Sequence, residues 1–565
     1  MSSEPTLNNQ LFGCVSWSGE TPQDAIRIPG SQLLADSKCA KSDRWDSQLF
    51  VTPNTKVLFG SAPEHDARAS LWGTAVHPNV PISEIAVWAA QVVAEGRYER
   101  LKELLGYFVI IVEEPAKRRL SIVSDILGVR PFFYRLEKNR LIFGSDVWLL
   151  QRAGLTSGEI DYDAVSTWIT YGYNCTQRSL FADLRRLPPG SAVVLQGEQS
   201  NEIPYAAFRP HSHEPSGEDV AKDLHEIVSS TVRTLLANFP RVTLALSGGF
   251  DSRYLLASSS VTQAESIECV TVSDSPEEEL TARQVADVLG VPLKVFPVEG
   301  SIWDLYDSAF HFMADGFPIS KFVTDYVARK YPGIPMMNGF MGDSLMRGSH
   351  DRIQGKYETE WRDDLANILQ RQYQMVSFDI LRKDLGARLW DRSRLPMERA
   401  VREGGSIGKI FGWADFYYRQ RHYISNNFLQ HLGQAEALLP FYSWALLSYK
   451  MQHDYTVFDR EVYQQIFTRY FGTLAAIPHA SDLVRPHSRS AKVAKCIRTW
   501  ALQLLPKIFN RNCLSLLARK RSGLMALAGL AGDRRAESAI LNFERFYLLE
   551  KRCRDASLNL DWQSI

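Results

Sequence analysis

The fold of this chain is indicated by Val242-Thr-Leu-Ala-Leu-Ser-Gly-Gly-Phe-Asp-Ser252, where an apolar strand leads into a glycine-rich loop and then into an apolar helix. The two glycines let the backbone turn tightly, so that amide N–H groups and the helix N-terminus face one anion. Ser247 and Ser252 add hydroxyl donors. Asp251 would repel a phosphate unless a cation lay between them, so it predicts Mg²⁺ shared with pyrophosphate oxygens. The sequence therefore predicts that ATP binds at this loop.

The same loop indicates which phosphate bond is cut. A Walker loop would end in Gly-Lys-Ser or Gly-Lys-Thr and hold the β and γ phosphates, and no such lysine follows here. We therefore expect cleavage between the α and β phosphates, which activates a carboxylate as an acyl-adenylate. A plain Gly-Gly turn between strand and helix is the alternative, but strand, Ser-Gly-Gly-x-Asp-Ser and helix together favour the nucleotide site.

The composition is ordinary for a globular protein. The 565 residues predict about two to four domains, and 64 basic residues against 64 acidic ones give no electrostatic basis for binding nucleic acid. The seven cysteines include no Cys-x-x-Cys pair, so neither a disulfide framework nor a zinc site is predicted. The N-terminus lacks a secretory signal and no run of about 18 apolar residues occurs, so we expect a cytoplasmic protein without a membrane span.

The first part of the chain is rich in predicted strands, at residues 107–113, 119–124, 131–136, 141–144 and 191–195. A polar stretch rich in proline and histidine, residues 202–217, predicts a linker. These features place a first domain at residues 1–205 and a second at residues 218–565.

The second part alternates between helices and strands. Strands are predicted at residues 267–272 and 291–298, with a helix at 277–289 between them. Strand, helix, strand at this spacing predicts a parallel sheet, whose ligands lie beyond the carboxyl ends of the strands. Beyond about residue 360 the pattern becomes mostly helical.

Several further motifs follow one another in a recognisable order along the chain: Gly106-Tyr-Phe-Val-Ile-Ile, Ser124-Asp-Ile-Leu-Gly-Val-Arg-Pro-Phe-Phe-Tyr134, Leu187-Pro-Pro-Gly190, Asn338-Gly-Phe-Met-Gly-Asp343 and Glu436-Ala-Leu-Leu-Pro-Phe441. With the nucleotide loop, this order resembles class B asparagine synthetases and their relatives, the β-lactam synthetases and the lasso-peptide macrolactam synthetases. The resemblance implies an α+β and α/β chain. Its first domain would be a β-rich, Ntn-hydrolase-like sandwich of the glutaminase type. Its second would be an adenine-nucleotide α-hydrolase-like (PP-loop) synthetase domain with a helical C-terminal part.

The first domain departs from the family at its chemistry. A working glutaminase of this kind uses an N-terminal cysteine as nucleophile, whereas Ser2 follows Met1 here and the first cysteine is Cys14. Serine lacks the low-pKa thiol that the reaction needs. The family's Asn-Gly oxyanion element is reduced to Trp72-Gly73-Thr74. We therefore expect an inactive domain that releases no ammonia.

In the second domain the resemblance implies the residues of the ATP site. Asp343 matches a second Mg²⁺-binding aspartate across from Asp251, although a turn or cap aspartate is the alternative. The residues expected at the nucleotide are Leu246, Ser247, Gly248, Gly249, Asp251, Ser252, Val272 and Gly342.

The remaining catalytic positions are altered. Phe340 stands where β-lactam synthetases carry a tyrosine, and Glu436 matches the other member of that Tyr-Glu pair. Glu436 is predicted as the general base on the amine, or as the group that orients it, with a carboxylate paired to an arginine as the alternative. His487 stands where the family has a charge-stabilising lysine. Either His487 takes that role or Lys492 reaches in, and a solvated basic loop is the third reading.

The resemblance implies an ATP- and Mg²⁺-dependent amide-forming ligase. The leading interpretation is a lasso-peptide cyclase, which adenylates an Asp or Glu side chain of a precursor peptide and closes a macrolactam ring with the peptide's N-terminal amine. A leader-peptide protease would then act in the same pathway. The alternatives are an ammonia-dependent asparagine synthetase and a β-lactam-type small-molecule amide synthetase, and a non-catalytic binding module would have no use for two metal carboxylates.

Overall fold

The structure is a computed structural model, and the residues that it describes are 9–16, 32–38, 46–52, 55–138, 140–197, 199–207, 219–263, 267–273, 275–297, 322–346, 365–374, 383–404, 407–429, 431, 434–453, 458, 460–483, 553 and 558. The predicted linker falls mostly between Ala207 and Asp219, outside these residues. The two predicted domain boundaries therefore stay predictions.

The first part of the chain forms two six-stranded antiparallel sheets. Their strand orders are β10-β8-β9-β1-β3-β2 and β12-β11-β7-β6-β5-β4. The strands are β1 Leu11–Ser16, β2 Gln32–Lys38, β3 Asp46–Val51, β4 Val57–Ala62, β5 Ala67–Val76, β6 Leu105–Glu114, β7 Arg119–Ser124, β8 Phe133–Leu136, β9 Arg140–Gly144, β10 Arg185–Arg186, β11 Ser191–Gln196 and β12 Gln199–Pro204.

These two sheets pack face to face, because alternate side chains of both point into one shared apolar core. Leu11 and Phe143 of the first sheet meet Val109 and Ile122 of the second there. Three helices cover the outer faces: α1 Ile85–Ala94 lies on the second sheet, and α2 Val147–Arg152 and α3 Tyr162–Tyr171 share a core with the first. The predicted β-rich sandwich is confirmed in this architecture.

The second part contains a five-stranded parallel sheet with the order β15-β14-β13-β16-β17. Its strands are β13 Val242–Ala245, β14 Ile267–Val272, β15 Leu293–Phe296, β16 Met336–Met337 and β17 Ala437–Leu438. The chain fills the sheet from β13 outward on one side and returns to the other side of β13 with β16. Strand order reverses at β13, and in open α/β sheets ligands bind at such a reversal.

Helices surround this sheet and extend beyond it. They are α4 Val220–Asn238, α5 Phe250–Gln263, α6 Pro276–Leu289, α7 Phe322–Lys330, α8 Gly342–Met346, α9 Leu365–Tyr373, α10 Lys383–Gly404, α11 Ile407–Ala414, α12 Asn426–Leu429, α13 Trp444–Gln452, α14 Arg460–Tyr470, α15 Gly472–Ala475 and α16 Ala480–Leu483, with a π-helix at Asp415–Ile424. The mostly helical pattern predicted beyond residue 360 is thus confirmed for the described residues. Among all the residues that the structure describes, no helix is long and apolar enough to cross a membrane.

Candidate active site

The nucleotide loop follows β13 directly and is closed by its own serines. The Ser247 backbone N–H donates to Ser252 Oγ over 3.0 Å, and the two hydroxyl oxygens also lie 3.0 Å apart. The Gly249 N–H donates to Ser247 Oγ over 3.3 Å. Helix α5 begins at Phe250, so the positive end of its dipole faces the same loop. This geometry suits an anion bound by backbone amides and hydroxyls.

The loop after β16 packs against Asp251. A Cβ atom on Gly342 would lie 2.6 Å from Asp251 Cγ, and one on Gly339 would lie 3.2 Å from Asp251 Cβ, so both glycines permit this close approach. Met341 between them has φ +68°, a left-handed conformation that costs a residue with a side chain about 1 kcal/mol or more. The strained turn leads straight into Asp343. The structure therefore brings the segments of the two predicted metal-binding aspartates together.

These two aspartates suit a Mg²⁺ ion that also binds phosphate. Mg²⁺ is commonly held by one or two carboxylates, with substrate phosphates and water completing its coordination. Among the described residues, no group of three His, Cys, Asp or Glu side chains could hold a metal ion. The Tyr463 hydroxyl donates to Asp251 Oδ1 over 2.7 Å, which orients that carboxylate. Asp251 and Asp343 fit the expected ion only together with a bound pyrophosphate.

Leu246 and Val272, which the sequence places at the nucleotide, lie at strand ends beside the loop. Leu246 is buried, and its N–H donates to the Val270 carbonyl over 2.9 Å. The β13–β14 register pairs Ala245 with Val270, so Val272 is level with Ser247. The backbone N–H of Leu246 therefore continues the pairing with β14, and Val272 lies at the same edge of the sheet as the loop.

A segment from the far end of the second part closes over the loop. Arg253, which is buried, donates to the Ile477 carbonyl over 2.6 Å and to the Pro478 carbonyl over 3.0 Å. Burial lowers the pKa of Arg253 to about 10. The Ala480 N–H donates to the Gly248 carbonyl over 3.2 Å. This places residues 477–480 on the nucleotide loop, just before the segment that contains the predicted His487 and Lys492.

His487 and Lys492 themselves lie outside the described residues, so the choice between them stays open.

The sequence did not indicate the residues that hold the loop and Asp251 in place through hydrogen bonds to distant segments. Arg253 and Tyr463 belong to no motif that we recognised, and each contacts a segment more than 200 residues away. Arg253 follows the loop immediately. A charged residue on this otherwise apolar helix was the one local signal that it makes a specific contact.

Glu436 lies where the two parts of the chain meet. It precedes β17 and so stands at the amino end of the sheet, whereas the nucleotide loop follows the carboxyl end of β13. Glu436 Oε2 accepts hydrogen bonds from Thr74 Oγ1 over 2.7 Å and from the Tyr107 hydroxyl over 2.9 Å. Among the described residues, the hydrogen bonds of this side chain go to these two alone. Both donors belong to the first part of the chain, so this contact joins the two parts.

Tyr107 acts as a donor to Glu436 and not as a base. Its hydroxyl donates to Glu436 and accepts from the Ala437 N–H over 3.0 Å. Burial raises the pKa of Tyr107 well above its usual value of 10, and the charge of Glu436 raises it further. The phenol therefore stays protonated at physiological pH and holds the carboxylate in place.

Arg130 lies close to this contact and packs against Trp72 and Gly73, where the family resemblance would place an oxyanion element. Its guanidinium stacks on the Trp72 ring at 3.4 Å and donates to Asn9 Oδ1 over 3.3 Å. Burial lowers the pKa of Arg130 to about 10, and the charge of Glu436 opposes this. A Cβ atom on Gly73 would lie 2.4 Å from the Tyr107 carbonyl, and its φ of +120° is one that residues with side chains rarely adopt, so packing and backbone both require this glycine. The stretch Trp72-Gly73-Thr74 therefore serves packing and the bond to Glu436.

Cys14 is a core residue and does not lie in a site where it could react with a substrate. It lies within β1, is 3% exposed, and belongs to the apolar core beneath α2 and α3 with Phe12 and Ile142. The residues 2–4 that replace the family nucleophile lie outside the described residues. Cys14 therefore cannot take the place of that nucleophile, because its side chain points into a core and not toward Trp72 and Thr74.

Phe340 is a core residue that links the metal loop to the contact with the first part of the chain. It is buried, and its ring packs against Phe428 at 5.2 Å and Tyr442 at 5.8 Å. Phe428 packs in turn against Tyr107 at 5.1 Å. Tyr107, which donates to Glu436, is thus connected through the rings of Phe428 and Phe340 to the loop that carries Asp343.

Residues 83–206 match the sequence family described as the glutamine amidotransferase domain. The glutamine-hydrolyzing asparagine synthetase 3 of Bacillus subtilis (strain 168) is 26% identical over 165 residues, which cover 29% of this chain and 27% of that protein. These two findings support the asparagine synthetase-like superfamily. The match spans about a quarter of that relative's length.

Two solved structures are more remote. The glutamine phosphoribosylpyrophosphate amidotransferase from B. subtilis complexed with ADP and GMP is 11% identical, with a TM-score of 0.23 over 60% of this chain and 72% of that one. The allosteric regulatory enzyme of purine biosynthesis is also 11% identical, with a TM-score of 0.23 over 65% of this chain and 74% of that one. At these scores neither likeness supports a conclusion.

Proposed function

We propose that this chain is an ATP- and Mg²⁺-dependent amide-forming ligase that adenylates an Asp or Glu side chain of a precursor peptide and joins it to the peptide's N-terminal amine. The observation that carries the proposal is the meeting of two loops at one edge of the parallel sheet. The Ser247-Gly248-Gly249 turn offers donors to a pyrophosphate, and the loop ending in Asp343 packs on Asp251.

In the first step, formation of the acyl-adenylate, the residues at this edge of the sheet would have different roles. Asp251 and Asp343 would hold Mg²⁺, which when bound offsets the phosphate charge. The loop amides and the hydroxyls of Ser247 and Ser252 would bind the pyrophosphate leaving group, so that the substrate carboxylate attacks the α phosphorus and an acyl-adenylate forms. Interactions that strengthen as charge develops on the leaving group lower the barrier to this step.

For the second step, in which an amine attacks the acyl-adenylate and AMP leaves, the family resemblance supports Glu436, although its backbone lies at the amino end of the sheet and the nucleotide loop at the carboxyl end. From that side, the carboxylate held by Thr74 and Tyr107 would have to reach the amine of the substrate to accept its proton or to orient it. The first domain, with Cys14 in a core, supplies no ammonia in this proposal. The amine therefore comes with the substrate, and holding both groups on one surface makes ring closure intramolecular.

The test uses a peptide that carries both reacting groups. With ATP and Mg²⁺, the full chain should release AMP and pyrophosphate and lower the peptide mass by one water, without added ammonia. Acetylating the peptide's N-terminal amine should stop ring closure while pyrophosphate release continues, because activation involves only the carboxylate. No pyrophosphate release with any carboxylate substrate would contradict the ligase proposal as a whole.

An ammonia-dependent asparagine synthetase is the second candidate, favoured by the similarity to the B. subtilis asparagine synthetase. Phe340 weakens it, since its buried ring replaces the glutamate that asparagine synthetases carry at this position. The two candidates differ in the amine. Turnover of free aspartate that depends on added ammonia would support the synthetase and contradict the macrolactam proposal.

A further inference from the structure

Two adjacent glycines of the nucleotide loop are glycine for different reasons. A Cβ atom on Gly248 would lie 2.3 Å from the Cβ of Ala480, so packing alone excludes a side chain there. A Cβ atom on Gly249 would meet nothing closer than Ser247 Oγ at 3.3 Å and His479 Nε2 at 3.9 Å. The φ angle of Gly249 is not in the left-handed region either. The backbone therefore does not require glycine at position 249, and the one tight neighbour of an added Cβ, at 3.3 Å, is a serine hydroxyl of the loop itself.

Two polar atoms border the space beside Gly249. Glycine in a phosphate-binding loop lets a ligand approach the backbone where a side chain would stand. Here the bordering atoms are the hydroxyl of Ser247 and the Nε2 atom of His479. Both can donate hydrogen bonds, and the amides at the start of α5 face the same side. An anion is the ligand that such a set of donors would take.

His479 is held at this border by its neighbours. The two residues before it are fixed through their carbonyls by Arg253, and the residue after it donates its N–H to Gly248. Its ring stands edge to face against Phe250, with 4.9 Å between the ring centroids. The imidazole is thus positioned before any ligand binds, which reduces the entropy cost of a contact.

We propose that His479 is a phosphate-contacting residue of the ATP site, with Nε2 donating to a pyrophosphate oxygen that lies beside Gly249. This inference rests on the proposed function and adds to it a residue from outside the loop motifs. Hydrogen bonds to a charged acceptor are the stronger kind, so losing this one should weaken ATP binding about tenfold or more.

The experiment titrates ATP with Mg²⁺ into the full chain and measures the dissociation constant and the melting temperature together. His479→Ala should bind ATP about tenfold more weakly or worse. His479→Gln should restore binding to within about threefold, because its amide nitrogen reaches the position of Nε2, whereas His479→Asn, which mimics Nδ1, should not. His65→Ala is the matched control, since His65 pairs with Glu95 in the first part of the chain.

The glycines give an independent arm. Gly249→Ala should weaken ATP binding with a smaller fall in melting temperature than Gly248→Ala, because its Cβ would meet a serine hydroxyl of the loop at 3.3 Å and no atom of another segment closer than 3.9 Å. Gly248→Ala should lower the melting temperature, because its Cβ would clash with Ala480. If the unaltered chain binds ATP and His479→Ala binds it equally well, or if Gln and Ala lose the same amount, the role of His479 is wrong. If the unaltered chain binds no ATP, the proposed function itself fails.

Discussion

The nucleotide edge of the second part and the former oxyanion element of the first use glycine in opposite ways. The space beside Gly249 is bordered by donors, whereas Gly73 is pressed against the Tyr107 carbonyl and has no room beside it. Arg130 stacks on Trp72 at that second position, where the family resemblance would place a glutamine-derived oxyanion. The two positions therefore differ in what borders the glycine: donors of a loop at Gly249, and the chain's own backbone and side chains at Gly73.

Among the changes that test this comparison, removing one of the two predicted metal-binding carboxylates should reduce activity most. Asp251→Asn and Asp343→Asn should each reduce pyrophosphate release about 100-fold or more, because each loses charge that offsets the pyrophosphate. Pyrophosphate release with saturating ATP measures the effect, and the melting temperature should change little. Near-normal activity of either variant would mean that its aspartate is not a metal ligand.

Glu436→Gln should separate the two steps. Pyrophosphate release should persist, while amide formation falls about 100-fold, the loss typical of a general base. Single-turnover measurements of both products on the same sample give this ratio. An unchanged rate of amide formation would assign Glu436 to the contact between the two parts of the chain and remove it from the chemistry.

Tyr107→Phe tests whether the first part of the chain acts on the second through Glu436. We expect amide formation to slow about tenfold with pyrophosphate release unchanged, because one of two donors to the carboxylate is lost. Tyr205→Phe is the control, since that buried hydroxyl donates to the Ser124 carbonyl within the first part. If both variants slow amide formation equally, the loss reflects a less stable first part of the chain, and Tyr107 does not position Glu436.

The smallest effect is expected at Cys14. Cys14→Ala should leave ligase activity within about twofold of the unaltered chain, and neither protein should convert glutamine to glutamate, because a thiol in a core cannot reach a substrate. An assay for glutamate checks both. Glutamine hydrolysis that disappears with Cys14→Ala would show that the first domain is active.

Much of the fold could be predicted from local patterns. The strands expected at residues 119–124 and 141–144 appear as Arg119–Ser124 and Arg140–Gly144, because alternating apolar residues between turn signals specify such strands locally. The helix expected at residues 277–289 appears as Pro276–Leu289 and ends at Gly290 in the left-handed conformation, as a glycine after an amphipathic run predicts.

The sequence by itself also determined where the nucleotide loop lies, since a strand, two glycines, an aspartate and a helix are consecutive residues whose geometry follows from their own backbone preferences. Only the tertiary structure decided what surrounds them. Tyr107 and Thr74 reach Glu436 from 329 and 362 residues away, and Tyr463 reaches Asp251 from 212 residues away. Such pairs leave no local signal, because a hydrogen bond between distant segments depends on how the sheets and helices pack and not on the residues beside either partner.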